Sequence, residues 1–174
     1  KTLADFREMG HFRDLLILLI GRVGSKVEIS NLASEVGVSR NTVYSYLSFL
    51  EGSYFMQFIK PYSRNPDREI SGARKLYLCD NGIARLAGKL DEGRLLENAV
   101  FQNIRKYGEV RYYERRHGFE IDFILPDIKT AIEVKSTARR QDCDKLRRVS
   151  SSIGMDSCFL ASGNCFSQAS KAIE

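Results

Sequence analysis

Four charged residues lie in two short segments that otherwise have the composition of buried strands. The stretch FEIDFILPDIKTAIEVKS, residues 119–136, contains Glu120, Asp122, Glu133 and Lys135. Side chains alternate between the two faces of a strand, so Glu120 and Asp122 share one face, as do Glu133 and Lys135 on the next strand. If the two strands are neighbours, the carboxylates of Asp122 and Glu133 converge.

Two converging carboxylates repel each other, and this repulsion calls for a shared proton or a cation. Lys135 supplies part of the compensating charge, and a divalent metal would supply the rest. Mg²⁺ is commonly held by one or two carboxylates together with water and substrate phosphate, and Mn²⁺ accepts the same oxygen ligands. Asp122 and Glu133 therefore predict a site for Mg²⁺ or Mn²⁺. A salt-bridge network without metal stays open as the other explanation.

A third acid, Glu97, leaves an apolar helix face in GRLLENAVFQNI, residues 93–104. At about 100° per residue, Val100, Phe101 and Ile104 lie within about 60° of Glu97 on the helix surface. Burial of an unpaired carboxylate is costly, so Glu97 should meet a cation, a metal-bound water or backbone donors.

The segments around these residues predict a mixed sheet flanked by helices. Their order is α-β-β-β-α-β. The helices are predicted at residues 93–108 and 143–151, and the strands at 110–116, 119–125, 130–136 and 156–162.

The N-terminal part predicts a helix-turn-helix followed by two strands. Helices are expected in HFRDLLILLIGR, in NLASEV with Ser30 as N-cap and Gly37 as its end, and in RNTVYSYLSFLE with Ser39 as N-cap. Two strands, YFMQFI and KLYLC, are joined by a basic loop that contains Pro. About residues 3–80 therefore resemble a winged helix.

The third of these helices has a polar outward face. Four apolar residues recur at helical spacing and face inward: Val43, Tyr46, Leu47 and Leu50. Arg40, Asn41 and Tyr44 are left outside and permit contacts to DNA phosphates without specifying a base. Winged helices also serve as dimerisation or docking units, so both uses stay open.

Composition predicts a folded protein of two modules. Of 174 residues, 43% are hydrophobic and 28% charged, and Asp80-Asn81-Gly82 is a strong turn signal. We place a winged helix-turn-helix domain at residues 1–82 and a second domain at 83–174. The net charge of +5 suits a polyanion such as DNA.

No segment predicts a membrane span or a zinc site. The longest apolar run, Leu15 to Ile20, is far shorter than the roughly 20 residues of a spanning helix, and no signal peptide is seen. The four cysteines form no C-x-x-C pair. We expect a cytoplasmic fragment of a longer protein, with self-association left open.

Asp122, then Glu133-Val134-Lys135 on the next strand, preceded by Glu97 on a helix, resembles the PD-(D/E)xK nuclease superfamily. This resemblance implies a restriction-endonuclease-like fold and metal-assisted hydrolysis of a phosphodiester. It implies Asp122 and Glu133 as metal ligands, and Glu97 as a ligand directly or through water. Lys135 would orient or activate the attacking water and stabilise developing charge. Ile121 replaces the leading Pro of the family.

Four arginines flank these strands and are expected to hold the nucleic-acid backbone: Arg115, Arg116, Arg139 and Arg140. A solvated charged rim is the other explanation for each of them.

The segments KLYLCDNGIARL, GRLLENAVFQNI, YYERRHGFEIDFIL and IEVKS also resemble a domain of unknown function that follows an AAA-type ATPase module in many bacterial and archaeal proteins. The likeness covers about residues 10–160 and implies an N-terminal ATPase module, although no G-x-x-x-x-G-K-[ST] loop occurs here. Three functions follow: a metal-dependent DNA endonuclease domain of the ATPase, a catalytically silent DNA-binding module, or a docking domain that regulates the ATPase or mediates self-association.

Overall fold

The computed structural model describes residues 9–86, 90–115, 118–163 and 165–168, and these residues form a mixed α/β structure, as predicted. Contacts divide the chain into two units. The first unit is Lys1–Phe58 with Ala73–Leu90, and the second is Ile59–Gly72 with Asp91–Glu174. The boundary proposed after Gly82 stays a prediction. In the part of the chain that is described, no helix has the length and apolar character needed to cross a bilayer.

The first unit contains the three predicted N-terminal helices, α1 (Met9–Ile20), α2 (Ile29–Val36) and α3 (Arg40–Gly52), and a short helix α5 (Asn81–Leu86). Leu15 and Leu19 of α1 are fully buried.

Three helix ends were predicted for α2 and α3. Two of them are confirmed, and the predicted start of α2 is not. Ser39 Oγ accepts a hydrogen bond from Thr42 N at 3.1 Å, which confirms Ser39 as the N-cap of α3. Gly37 ends α2 with φ 74°, a conformation that glycine adopts without steric cost. The prediction of Ser30 as N-cap is wrong: the carbonyl of Glu28 already accepts the hydrogen bond from Leu32 N, so Ser30 lies inside the first turn.

The faces of α3 are those predicted from its sequence. The inward residues Val43, Tyr46, Leu47 and Leu50 are buried. Arg40, Asn41 and Tyr44 are exposed, Tyr44 to 58%.

The strands of the first unit are short. β1 (Lys26–Val27) pairs antiparallel with β3 (Arg74–Leu78), and β2 (Met56–Pro61) contributes its first three residues to this unit. β1 was not predicted, because two residues carry no alternation.

The loop predicted between β2 and β3 contains a helix, α4 (Pro66–Ser71), which belongs to the second unit. Asn65 Oδ1 accepts from Asp67 N at 2.9 Å and caps it. Arg68 donates to the carbonyl of Glu114 at 2.8 Å. This contact across 46 residues holds α4 in place, and a local pattern does not reveal it.

The second unit has the predicted order α-β-β-β-α-β, extended by one further strand. Its elements after α4 are α6 (Glu92–Ile104), β4 (Arg111–Glu114), β5 (Glu120–Leu125), β6 (Thr130–Lys135), α7 (Arg140–Ser152), β7 (Ser157–Ser162) and β8 (Cys165–Gln168). Within this unit the end of β2 pairs parallel with β4, and β6 pairs parallel with β7. The pairs β4/β5, β5/β6 and β7/β8 are antiparallel.

Helices α6 and α7 pack against different residues of β5. Ile121 and Ile124 lie in a buried cluster with Leu146 of α7. Phe123 instead stacks on Phe101 of α6, with ring centroids 6.2 Å apart. The apolar face predicted for α6 is confirmed, since Val100, Phe101 and Ile104 are buried.

Candidate active site

The two carboxylates lie where the regular pairing of β5 with β6 stops. This pairing runs from Leu125–Thr130 to Phe123–Ile132, and the next pair would be Asp122 with Glu133. There, the N–H of Val134 donates to Asp122 Oδ2 at 2.8 Å, and the N–H of Asp122 donates to Glu133 Oε2 at 3.4 Å. Each carboxylate therefore binds backbone of the opposite strand, and the charge of Asp122 acts on Glu133.

β5 contains a bulge at the level of Asp122. Arg111 pairs with Ile124 but Tyr113 pairs with Ile121, so two residue steps along β4 oppose three along β5. Such a bulge bends the strand and changes the direction of its side chains. It also explains why Ile121 and Ile124 reach the same core cluster, which strict alternation forbids.

Glu133 is the more buried of the two acids. It is 4% exposed, and its carboxylate Oε1 lies 2.6 Å from Lys135 Nζ. Burial raises the pKa of Glu133 to about 7, helped by the charge of Asp122 and opposed by Lys135. Glu133 thus changes its ionisation near neutral pH, and a bound cation would favour the charged form.

Lys135 remains a cation in this site. Partial burial lowers its pKa, but the hydrogen bond to Glu133 and the charges of Glu133, Asp122 and Asp142 outweigh burial and raise the pKa above its ordinary value. A protonated ammonium is suited to stabilise negative charge on a phosphate, and it cannot accept a proton from water. Asp122, Glu133 and Lys135 are brought together as their spacing predicts, and their catalytic roles stay a prediction.

Glu97 lies on α6 between two fixed contacts. A Cβ on Gly93 would be 2.9 Å from Ser136 Oγ, so the first turn of α6 lies against the end of β6, and Phe101 stacks on Phe123. Gly93 and Phe101 are eight residues apart, which is about 12 Å along a helix. This is close to the roughly 13 Å along β6 between Ser136 and Ile132, the partner of Phe123. Glu97, partly buried, is therefore level with the middle of this segment.

Two carboxylates with water and a substrate phosphate form a donor set that fits Mg²⁺. Among the residues that the structure describes, no group of three or more His, Cys, Asp or Glu side chains is arranged to hold a metal ion. The pair Asp122 and Glu133 is therefore present without Glu97 as a third member of such a group, and the role of Glu97 as a ligand stays a prediction.

Asp142 was missed by the sequence analysis. It is the N3 residue of α7, its Oδ2 accepts a hydrogen bond from Arg139 N at 2.9 Å, and its charge acts on Lys135. The available signal was an acid in the first turn of a predicted helix, which is typical of capping alone.

The predicted DNA-binding residues lie in several places. Arg115 is exposed, and its N–H donates to the carbonyl of Phe119 at 2.9 Å, which closes the β4–β5 hairpin. Arg116 lies outside the described residues. Arg40, Asn41 and Tyr44 are in the first unit.

Residues 1–94 match the model of a protein family described as a domain of unknown function, DUF8612. The match covers more than half of the 174 residues. The chain belongs to the DUF8612 family. Residues 92–166, which contain the candidate site, match a second model described as a domain of unknown function, DUF4143.

A curated relative, Uncharacterized protein MJ1544 of Methanocaldococcus jannaschii, is 30% identical over 131 residues. The aligned region is 71% of this DUF8612 chain and 29% of the relative. The chain thus spans less than a third of the length of that protein. No solved structure matches the chain.

Proposed function

We propose that the chain is the C-terminal part of an AAA-type ATPase and carries a metal-dependent DNA nuclease domain of the PD-(D/E)xK type. The observation that carries the proposal is that the carboxylates of Asp122 and Glu133 each bind backbone of the opposite strand, with the ammonium of Lys135 2.6 Å from Glu133. The cluster has two acids of unlike burial and one cation. This composition fits a site for phosphodiester hydrolysis better than it fits a closed ion pair.

The order of elements supports a restriction-endonuclease-like domain. Helix α6, strands β4 to β6, helix α7 and strand β7 follow the α-β-β-β-α-β order of that fold. In the first unit, α1 to α3 followed by β2 and β3 support a winged helix-turn-helix. Fold alone does not carry function, so the proposal depends on the site.

The residues of the site divide the work by their charge. Asp122 and Glu133 would hold Mg²⁺ or Mn²⁺, which lowers the pKa of bound water and offsets charge on the leaving phosphate. Lys135, kept protonated by its neighbours, stabilises negative charge on the phosphate oxygens. Glu97 would bind the metal directly or through a water molecule.

Attachment to an ATPase rests on the second family. Domains of the DUF4143 family are typically found with ATPases. The 29% share of the archaeal relative leaves ample length in that protein for further domains.

The direct test is cleavage of supercoiled plasmid DNA in Mg²⁺, Mn²⁺ or EDTA. We compare the wild type with Asp122→Asn and Glu133→Gln, because both keep the size of the side chain and an acceptor for the backbone N–H groups. Metal-dependent nicking by the wild type that both variants lose supports the proposal. Nicking that survives in both would mean a contaminant or another site.

A second candidate is a catalytically silent module that binds DNA or docks onto the ATPase and regulates it. It is favoured by the hydrogen bonds of both carboxylates to backbone and by the Lys135–Glu133 ion pair, which satisfy the cluster without metal. Calorimetric titration with Mg²⁺ and Mn²⁺ separates the two, because a silent structural cluster takes up neither ion.

A further inference from the structure

Four cations and one acid are exposed on α7, and three of the cations share its outward face. Arg140, Arg147 and Arg148 lie there with Asp144, and Lys145 is exposed on the flank of the helix. The inward face of the same helix is part of the core, with Leu146 fully buried. The cations are therefore held on a fixed surface of the second unit.

Three of these cations surround the single acid. At about 100° per residue, Arg147 lies about 20° to one side of Arg140 and Arg148 about 80° to the other. Arg147 reaches Asp144 Oδ1 at 3.7 Å, whereas Arg148 Nε donates to the backbone carbonyl of Asp144 at 3.4 Å. One carboxylate cannot neutralise three guanidinium groups, so the face keeps a strong positive charge.

The helix starts next to the candidate site. β6 and β7 are parallel, so α7 is the crossover between them and begins beyond the end of β6 that carries Lys135. Lys145, on the side of α7 away from Arg147, lies with its Nζ 4.5 Å from the ring centroid of Phe119, just before β5. The cations thus extend from the site along the helix.

We propose that the outward face of α7 binds the phosphate backbone of duplex DNA and guides one strand to Asp122, Glu133 and Lys135. The inference rests on the proposed nuclease function and names the surface that holds its substrate. Arginine suits phosphate because its planar guanidinium donates two parallel hydrogen bonds, and each neutralised phosphate releases counterions. Arg140 and Arg147 are about 10.5 Å apart along the helix axis, so they contact different phosphates.

Duplex DNA fits this face better than a single strand or a membrane. Proteins that hold single strands stack bases on aromatic side chains, and no residue of α7, which is described throughout, is aromatic. A helix that inserts into a membrane surface needs a free apolar face, but the apolar residues of α7 are in the core.

The test is fluorescence anisotropy of a labelled DNA duplex, with EDTA present, across a range of salt concentrations. The variant Arg147→Gln/Arg148→Gln removes two cations from α7. The matched control, Arg105→Gln/Lys106→Gln, removes two neighbouring exposed cations after α6 in the same unit. A single strand of the same length is titrated in parallel, and urea unfolding confirms that both variants fold.

We expect the α7 variant to raise Kd for duplex about tenfold or more at low salt and to make the slope of log K against log salt shallower by about 1.8, the value for two lost phosphate contacts. The control should stay within about twofold of the wild type. Equal affinities for the two variants would overturn the proposal, and an equal loss for single strands would overturn its choice of duplex. The binding assay is done in EDTA and does not depend on catalysis. Absence of plasmid nicking in the other assay would therefore refute the nuclease function without refuting DNA binding by α7.

Discussion

The carboxylate of Asp122 accepts a hydrogen bond from the N–H of Val134 at 2.8 Å, so an acid of β5 replaces the backbone partner that β6 would otherwise have there. In return the N–H of Asp122 donates to Glu133. The strands stay together although their regular pairing has ended, and the space between them contains two carboxylates. A cation bound there would bridge the two strands and raise the free energy of unfolding. Stability measurements therefore report on binding at the site.

Stability of the metal-free protein should fall as pH rises through neutrality. The pKa of Glu133 is about 7 in the folded state and near 4.5 when unfolded, so the folded state binds more protons between these values. The contribution of Glu133 to the free energy of unfolding is fully present below about pH 4.5 and is lost as the pH rises past 7. This loss is up to about 3 kcal/mol. Urea unfolding in EDTA from pH 5 to 8 measures it, with Glu133→Gln as the control that lacks this dependence.

Binding of Mg²⁺ should release protons, because the metal takes the ionised form of Glu133. With a pKa of about 7, roughly half a proton is expected per ion at pH 7, more at pH 6 and almost none at pH 8.5. Calorimetry in buffers of different ionisation enthalpy measures the release. Uptake of Mg²⁺ with no proton release at pH 6 would place the ion away from Glu133.

Replacement of Lys135 by Met should separate catalysis from metal binding. Loss of the ammonium removes stabilisation of charge in the transition state, a loss commonly worth about 10² to 10³ in rate. Affinity for Mg²⁺ should hold or increase, because a competing cation 2.6 Å from Glu133 is gone. Single-turnover cleavage and metal titration are the two measurements. Lys129→Met, at an exposed lysine of the same unit, is the control. Weaker metal binding with unchanged cleavage would contradict the proposed role.

The cap of α3 should be measurable by itself. Ser39→Ala removes the acceptor for Thr42 N and is expected to cost about 1 kcal/mol of unfolding free energy. Ser48→Ala, on the exposed side of the same helix, removes a hydroxyl without a cap and should change stability little. Thermal or urea unfolding of both variants checks this difference. Equal stability of the two would mean that the cap bond contributes nothing in solution.

Some features of this protein follow from short stretches of sequence. The helix α3 is set by Ser39 at its start and by the spacing of Val43, Tyr46, Leu47 and Leu50, because caps and periodicity act within one or two turns. The acids and Lys135 were found from their types and spacing, since charges within apolar strands are costly unless they are compensated.

Other features depend on contacts between distant residues. Helix α4 is held by Arg68 on Glu114, and the two-residue strand β1 exists by pairing with β3. Alternation predicted regular faces along β5, but the bulge between Ile121 and Ile124 is a property of the pairing with β4. Such pairing is invisible to a local pattern.

The sequence by itself determined which side chains carry charge, where α3 begins, and that Asp122 and Glu133 belong to consecutive strands. Only the tertiary structure decided that regular pairing ends between these two residues and that burial raises the pKa of Glu133. The reason is physical: charge and helix caps are properties of a few neighbouring residues, whereas desolvation and strand register depend on what the rest of the fold packs around them.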